Sequence, residues 1–280
     1  MAIKGPSAET HLLRIPRQSV DIDFLVDPAR FSEFVTLMES AGWSWQVNSS
    51  ADVLPHHSVP MRHPLWPCEL DLHHEFPGFL SGPEVTFEAL WRHRETLDLG
   101  LGPVTCLDRV GTAAVIGLHL LRDQTKRAAE LEEFVGLAKA QLLKPDRLAL
   151  AELAQVAGAE QTLAPVLSAL GIEGAQPTGP PTKDLQAWLF RTQTPHAPAV
   201  GWVYQFAAMP PSAWPRLIRK ALLLTDEEIY LSYPDLPHTP GGLWRGRLRR
   251  WWRGLRHLPA AVRHVGSAYS RVRASARRTR

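Results

Sequence analysis

The sequence predicts an α+β protein: a small mixed sheet with covering helices, followed by a helical region and a basic C-terminal helix or tail. Three observations carry that expectation. Residues 20–26 and 67–72 alternate apolar and polar side chains with period two, the pattern of strands with one buried face. Between and after them, apolar residues recur at helical spacing. The charge is also split. Residues 241–280 hold twelve arginines, no lysine and no acid, which leaves 19 basic against 28 acidic side chains in residues 1–240, a formal −9.

In chain order, V-D-I-D-F-L-V sets Val20, Ile22, Phe24 and Val26 on one face and Asp21, Asp23 and Leu25 on the other. Asp27 reads as an N-cap and Pro28 as a first helical residue. The helix they start carries an apolar stripe of Phe31, Phe34, Val35, Leu37 and Met38 and closes at Gly42. Residues 58–62 and 67–72 are two further strands around a turn at His63-Pro64. In the second, Cys68, Leu70 and Leu72 oppose Glu69, Asp71 and His73.

Residues 83–170 read as helical, most clearly over 110–124 and 126–143. A Gly- and Pro-rich linker covers 171–182, and residues 183–235 form another helical packing layer bearing Trp188, Trp202, Phe206 and Trp214. The expected segments are therefore 1–82, 83–170, 171–240 and 241–280.

Cys68 and Cys106 are the only cysteines and have no spacing partner, which excludes a disulfide scaffold and fits a reducing compartment. The histidines at 56, 57, 63, 73 and 74 repeat no zinc-ligand spacing. The first residues lack the apolar run of a signal peptide, and no stretch of 18 apolar residues exists to span a bilayer. These readings give a cytoplasmic protein without a transmembrane segment that at most lies on a membrane surface.

Asp21 and Asp23 project from one strand face, roughly 7 Å apart along the backbone, and Asp71 adds a third carboxylate from another strand. A D-x-D pair on an edge strand is often only a solvated face. Three such groups together form an oxygen-rich site of the kind Mg²⁺ (or Mn²⁺) prefers. In-line phosphoryl or nucleotidyl transfer needs little beyond such ions and positioning.

These residues also resemble a known pattern. Lys4-Gly5, then Arg17-Gln18-Ser19-Val20-Asp21-Ile22-Asp23, then Asp71-Leu72-His73 are similar in order and spacing to the uncharacterised nucleotidyltransferase family of the DNA polymerase β-like superfamily. His57-Ser58-Val59-Pro60-Met61 and, more weakly, Leu118-His119-Leu120 extend the likeness.

The resemblance implies a nucleotidyltransferase-type sheet whose first strand ends at Lys4-Gly5, with a helix upstream of it. It implies transfer of a nucleoside monophosphate from a nucleoside triphosphate, such as ATP, to an unidentified hydroxyl. Asp21, Asp23 and Asp71 would hold the metal and carry catalysis. Lys4, Gly5, Ser7 and Arg17 would meet the nucleotide, with Glu69 and His73 behind the metal ligands. One departure stands out: the family's Gly-Ser pair is here Gly5-Pro6-Ser7, and proline removes a backbone donor.

The arginine-rich tail interleaves Trp244, Leu248, Trp251 and Leu255 at helical spacing, a basic amphipathic helix. It could meet a polyanion, either nucleic acid or an anionic lipid surface, or dock on the acidic body. A catalytically inactive regulator of the same fold, or an adaptor working through the tail, are the rival readings.

Overall fold

The computed structural model describes residues 1–17, 21–45, 57–98, 100, 102–173, 182–193, 199–233 and 235–278. They divide into two units, Met1–Gln46 with His57–Thr192, and Gln193–Arg278.

The first unit begins with α1 (Pro6–Thr10), β1 (Asp21–Leu25), α2 (Phe31–Ser40), β2 (Ser44–Trp45), β3 (Ser58–Arg62) and β4 (Glu69–His73). The strands pair in the order β1-β4-β3-β2, parallel between β1 and β4 and antiparallel elsewhere. The sheet is therefore mixed, as expected.

Alternation gives the sheet two unlike faces. Ile22, Phe24, Val59, Met61, Leu70 and Leu72 share an apolar cluster with Trp43, where Phe31, Phe34, Val35 and Met38 of α2 cover them. Asp27 starts this connection: its side chain accepts a 2.9 Å bond from the Ala29 amide, and a 3₁₀ turn over Pro28–Arg30 leads into α2. Leu37, assigned to the apolar stripe from its spacing, is instead 59% exposed. The stripe is narrower than the spacing implied because four α2 side chains already cover this small sheet.

The strand expected over 67–72 begins later, at Glu69, and runs on to His73. Pro67 has no amide to donate to a ladder. Of the first expected strand, residue 20 lies outside the described residues, as does most of the 171–182 linker.

After β4 come α3 (Pro83–Arg92), β5 (Arg94–Asp98), β6 (Pro103–Leu107), α4 (Arg109–Leu121), α5 (Gln124–Gln141), α6 (Lys144–Val156), α7 (Ala164–Ala169) and α8 (Lys183–Gln193). The β5–β6 hairpin corrects the expectation of an unbroken helical region. No residue of β5 is buried, so its sequence lacks the apolar alternation that marks a strand. Gly100 and Gly102, both at positive φ, make its turn.

The stretch expected as a first strand is shorter than a strand. Ala2 alone bridges Phe24 and Cys106, with Ile3 N donating to the Asp23 carbonyl at 3.1 Å and Leu107 N to the Ala2 carbonyl at 3.2 Å. This splice joins β1 to β6 and delivers Lys4 beside β1.

Helix α4 is apolar around nearly its whole circumference and is correspondingly buried, with only Arg109 and His119 partly exposed. Asp108 caps it through a 2.8 Å bond from Gly111 N. At Gly117 an added Cβ would lie 2.9 Å from Leu163, so glycine there permits close packing. The resulting core takes in Leu25 from the polar face of β1, along with Trp188 of α8. It therefore sits directly beside the carboxylates.

The second unit contains α9 (Val200–Ala208), α10 (Trp214–Leu222), α11 (Asp226–Ser232) and α12 (Pro240–Arg278). Thr225 and Glu228 form a capping box at the start of α11. Leu224, Ile229, Tyr233 and Leu236 make a small core against Leu243 of α12. Among the described residues, no helix is long and apolar enough to cross a membrane.

Candidate active site

The parallel register of β1 and β4 builds the site. It sets Asp21 opposite Glu69, Asp23 opposite Asp71 and Leu25 opposite His73, all on the face turned away from α2. Asp23 and Asp71 thus become neighbours from strands 48 residues apart in sequence.

His73 Nε2–H lies 2.9 Å from Asp23 Oδ1 and 3.2 Å from Asp71 Oδ2, and Lys4 Nζ donates to Asp23 Oδ1 at 2.7 Å. Asp23 and His73 are buried, while Asp71 is partly exposed. Burial alone would raise the Asp23 carboxyl, but the bonds from His73 and Lys4 outweigh it and hold its pKa at about 2. Burial likewise opposes a charged His73, yet the two aspartates raise its pKa above the ordinary value. For Asp71 burial is again outweighed, chiefly by His73, and its pKa is lowered.

Ligand atoms of Asp23, Asp71 and His73 lie within 4.8 Å of one another, close enough to share a metal ion. Among the described residues Asp71 Oδ1 is buried without a hydrogen-bond partner, a lone-pair position suited to a cation. The two carboxylates fit a divalent ion, with His73 bonded to both through Nε2–H. Lys4, bonded to Asp23 Oδ1, would compete with such an ion for that oxygen.

Asp21 lies outside this group. It is exposed and lines, together with Asp23, a cavity of about 360 Å³. That size is sufficient for a small-molecule site. Lys4, Gly5, Arg14 and Arg17 line the cavity from the N-terminal segment, and His119, Arg127 and Glu130 line it from α4 and α5. The segment is pinned by His11, whose Nε2 lies 2.7 Å from Glu95 of β5.

The remaining expected residues fall as follows. Gly5 has φ +80°, and an added Cβ would meet nothing within 4 Å. Pro6 starts α1, while Ser7 is fully buried and its Oγ has no partner among the described residues. Arg17 pairs with Glu130 at 2.9 Å at the cavity edge. Glu69 is engaged by Arg62 of β3 rather than by Asp71.

Sequence reasoning did not assign four side chains near the site: Arg122, Arg127 and Arg191, which contribute positive charge, and His119, which responds to it. His119 is held neutral, its pKa lowered to about 2, first by burial and then by Lys4, Arg122 and Arg127. His57 is lowered to about 3, first by burial and then by His73, Arg122 and Arg191. Among the described residues Arg122 and Arg191 make no ion pair with an acid, and Arg191 Nε is buried without a partner. The surroundings of the two aspartates are thus cationic, as a polyphosphate requires. One sequence signal was available: His119 and Arg122 are the two polar residues at the end of an otherwise apolar helix, one turn apart.

The parallel strand pair brings two carboxylates and a histidine together beside a cavity lined by Lys4, Arg14, Arg17 and Arg127 and by the acids Asp21, Asp23, Glu130 and Glu133, an arrangement compatible with a divalent metal. Residues 2–172 match the family described as uncharacterised nucleotidyltransferase, and the chain belongs to that family. No curated protein matches the chain.

Proposed function

We propose that this protein transfers a nucleoside monophosphate from a nucleoside triphosphate, ATP among the candidates, to a hydroxyl acceptor. Mg²⁺ or Mn²⁺ would be held by Asp21, Asp23 and Asp71. The observation that carries this reading is the Asp23–Asp71 pairing across β1 and β4, with an Asp71 oxygen that has no partner among the described residues and a cavity that Asp21 and Asp23 line. Bound metal would neutralise phosphate charge and make the acceptor hydroxyl a better nucleophile.

The chain's own residues do the rest. Lys4 donates to Asp23 and lines the cavity, so it would partner this carboxylate before metal binds and would be in reach of a phosphate afterwards. Arg17 and Arg127 border the cavity where the triphosphate would lie, and Gly5 leaves room for it. His73 orients both aspartates through Nε2 and acts as a positioning residue. The reaction is expected in the cytoplasm.

The test is calorimetric titration with each nucleoside triphosphate, with and without Mg²⁺. Binding that needs Mg²⁺ and disappears in Asp21→Ala/Asp23→Ala supports the reading. A folded wild type that binds no triphosphate contradicts it. A second reading, nucleotide binding without transfer, is favoured by Pro6 at the start of α1 and by the ammonium already seated on Asp23. Metal-dependent binding with no pyrophosphate release across acceptor classes would select it.

A further inference from the structure

We propose that the second unit docks on an anionic lipid surface through exposed apolar stripes on α10 and α12. Trp244, Leu248, Trp252, Leu255 and Val262 are each more than half exposed. At 100° per residue they fall within an arc of roughly 80°, and the stripe runs about 27 Å along the helix. The inner side of α12 is occupied: Leu243 packs on the core of this unit, an added Cβ on Gly246 would lie 2.5 Å from Ile229, and Ala261 and Val265 are buried. The exposed stripe is therefore a second face of the helix, distinct from its packing face.

Helix α10 repeats the arrangement at i, i+4 and i+8, where Trp214, Ile218 and Leu222 are all exposed. Trp251 Nε1 donates to the Leu222 carbonyl at 3.1 Å and ties the end of α10 to the middle of α12. Both stripes thus border one junction.

Charge selects the occupant. Residues 193–278 hold fourteen basic side chains against four acids, and neither α10 nor α12 contains an acid. Asp226 and Asp235 are already engaged by Arg247 and Arg249. Arg245, Arg253, Arg256 and Arg263 remain exposed along one edge of the α12 stripe.

An apolar stripe edged by arginine matches the acyl boundary and headgroups of an anionic bilayer, and tryptophan suits that interface. Single-stranded nucleic acid would satisfy the arginines but leave Leu248, Leu255 and Val262 in water, because aliphatic side chains offer no ring for a base to stack on. A second copy of this unit would bring like charges together.

The experiment uses the full chain and sedimentation with phosphatidylcholine vesicles, alone or with about one-third phosphatidylglycerol. At least tenfold tighter binding to the anionic vesicles is expected, together with quenching of tryptophan emission by brominated phospholipid. Leu248→Glu/Leu255→Glu and, separately, Ile218→Glu should each weaken binding about tenfold while circular dichroism keeps the helical signal. Equal retention on both vesicles, wild-type binding by both variants, or unquenched tryptophan overturns the proposal. So does tighter binding to a single-stranded RNA oligonucleotide that ignores the substitutions. Brominated-lipid quenching of the wild type decides the matter if a variant loses its helical signal.

Discussion

The two faces of the four-stranded sheet are made by the same strands and obey opposite physics. On one, Met61 and Leu72 are fully buried beneath α2, each contributing about 1.5–3 kcal/mol of transfer free energy. On the other, Asp23 and Asp71 are brought together with a histidine and a lysine, where burial opposes every charge that the partners sustain. The apolar face explains why β1 and β4 stay in register. The polar face is what that register delivers, and its charges are tolerated because each is partnered.

The comparison predicts which substitutions separate folding from ligand binding. The largest combined effect belongs to Asp23→Ala. It strips Lys4 of its carboxylate and leaves His73 only Asp71, so stability falls by about 3 kcal/mol in urea denaturation. Metal-dependent nucleotide binding is lost with it.

Leu72→Ala, on the other face, should cost about 2–5 kcal/mol of stability. Nucleotide affinity measured well below the melting transition should stay within about twofold. A large loss of affinity in the folded variant would show that the faces are not separable.

A smaller effect is pH-dependent. His119 is neutral in the fold, with its pKa lowered to about 2, whereas an unfolded histidine titrates near 6.5. Its contribution to stability is fully present above pH 6.5 and is lost progressively as pH falls towards the folded value. His119→Gln should therefore lose less stability between pH 7 and pH 5, by on the order of 1 kcal/mol, as read from denaturation midpoints.

The smallest effects come from exposed positions. Asp21→Ala should shift stability by no more than about 0.5 kcal/mol yet abolish metal-dependent binding. Leu37→Ala should change neither stability, within about 0.5 kcal/mol, nor binding.

Both faces of β1 and β4 were legible because a strand has period two, and the apolar residues betray which carboxylates share the opposite side. Asp21, Asp23 and Asp71 could be placed on one face in this way, and the helices flanking them followed from their spacing. The hairpin over Arg94–Leu107 was not legible, because β5 has no buried face and is held by backbone pairing to β6. Arg122 caps the C-terminal end of α4 and Arg191 lies on α8, on either side of the 171–182 linker, and only tertiary packing brings them to the site. The sequence showed the amphipathicity of α12, but which of its apolar residues pack inward depends on α11, and Gly246 marks that contact.

The central claim is that Asp21, Asp23 and Asp71 hold a divalent ion on which nucleotide binding depends. Titration with Mn²⁺, followed by electron paramagnetic resonance with and without a non-hydrolysable triphosphate, tests it directly. Stoichiometric loss of the free Mn²⁺ signal is expected in the wild type, with nucleotide tightening the binding. Asp21→Ala, a folded variant, should bind Mn²⁺ at least about tenfold more weakly. An unchanged free Mn²⁺ signal in the folded wild type, or equal Mn²⁺ affinity in Asp21→Ala, would contradict the claim.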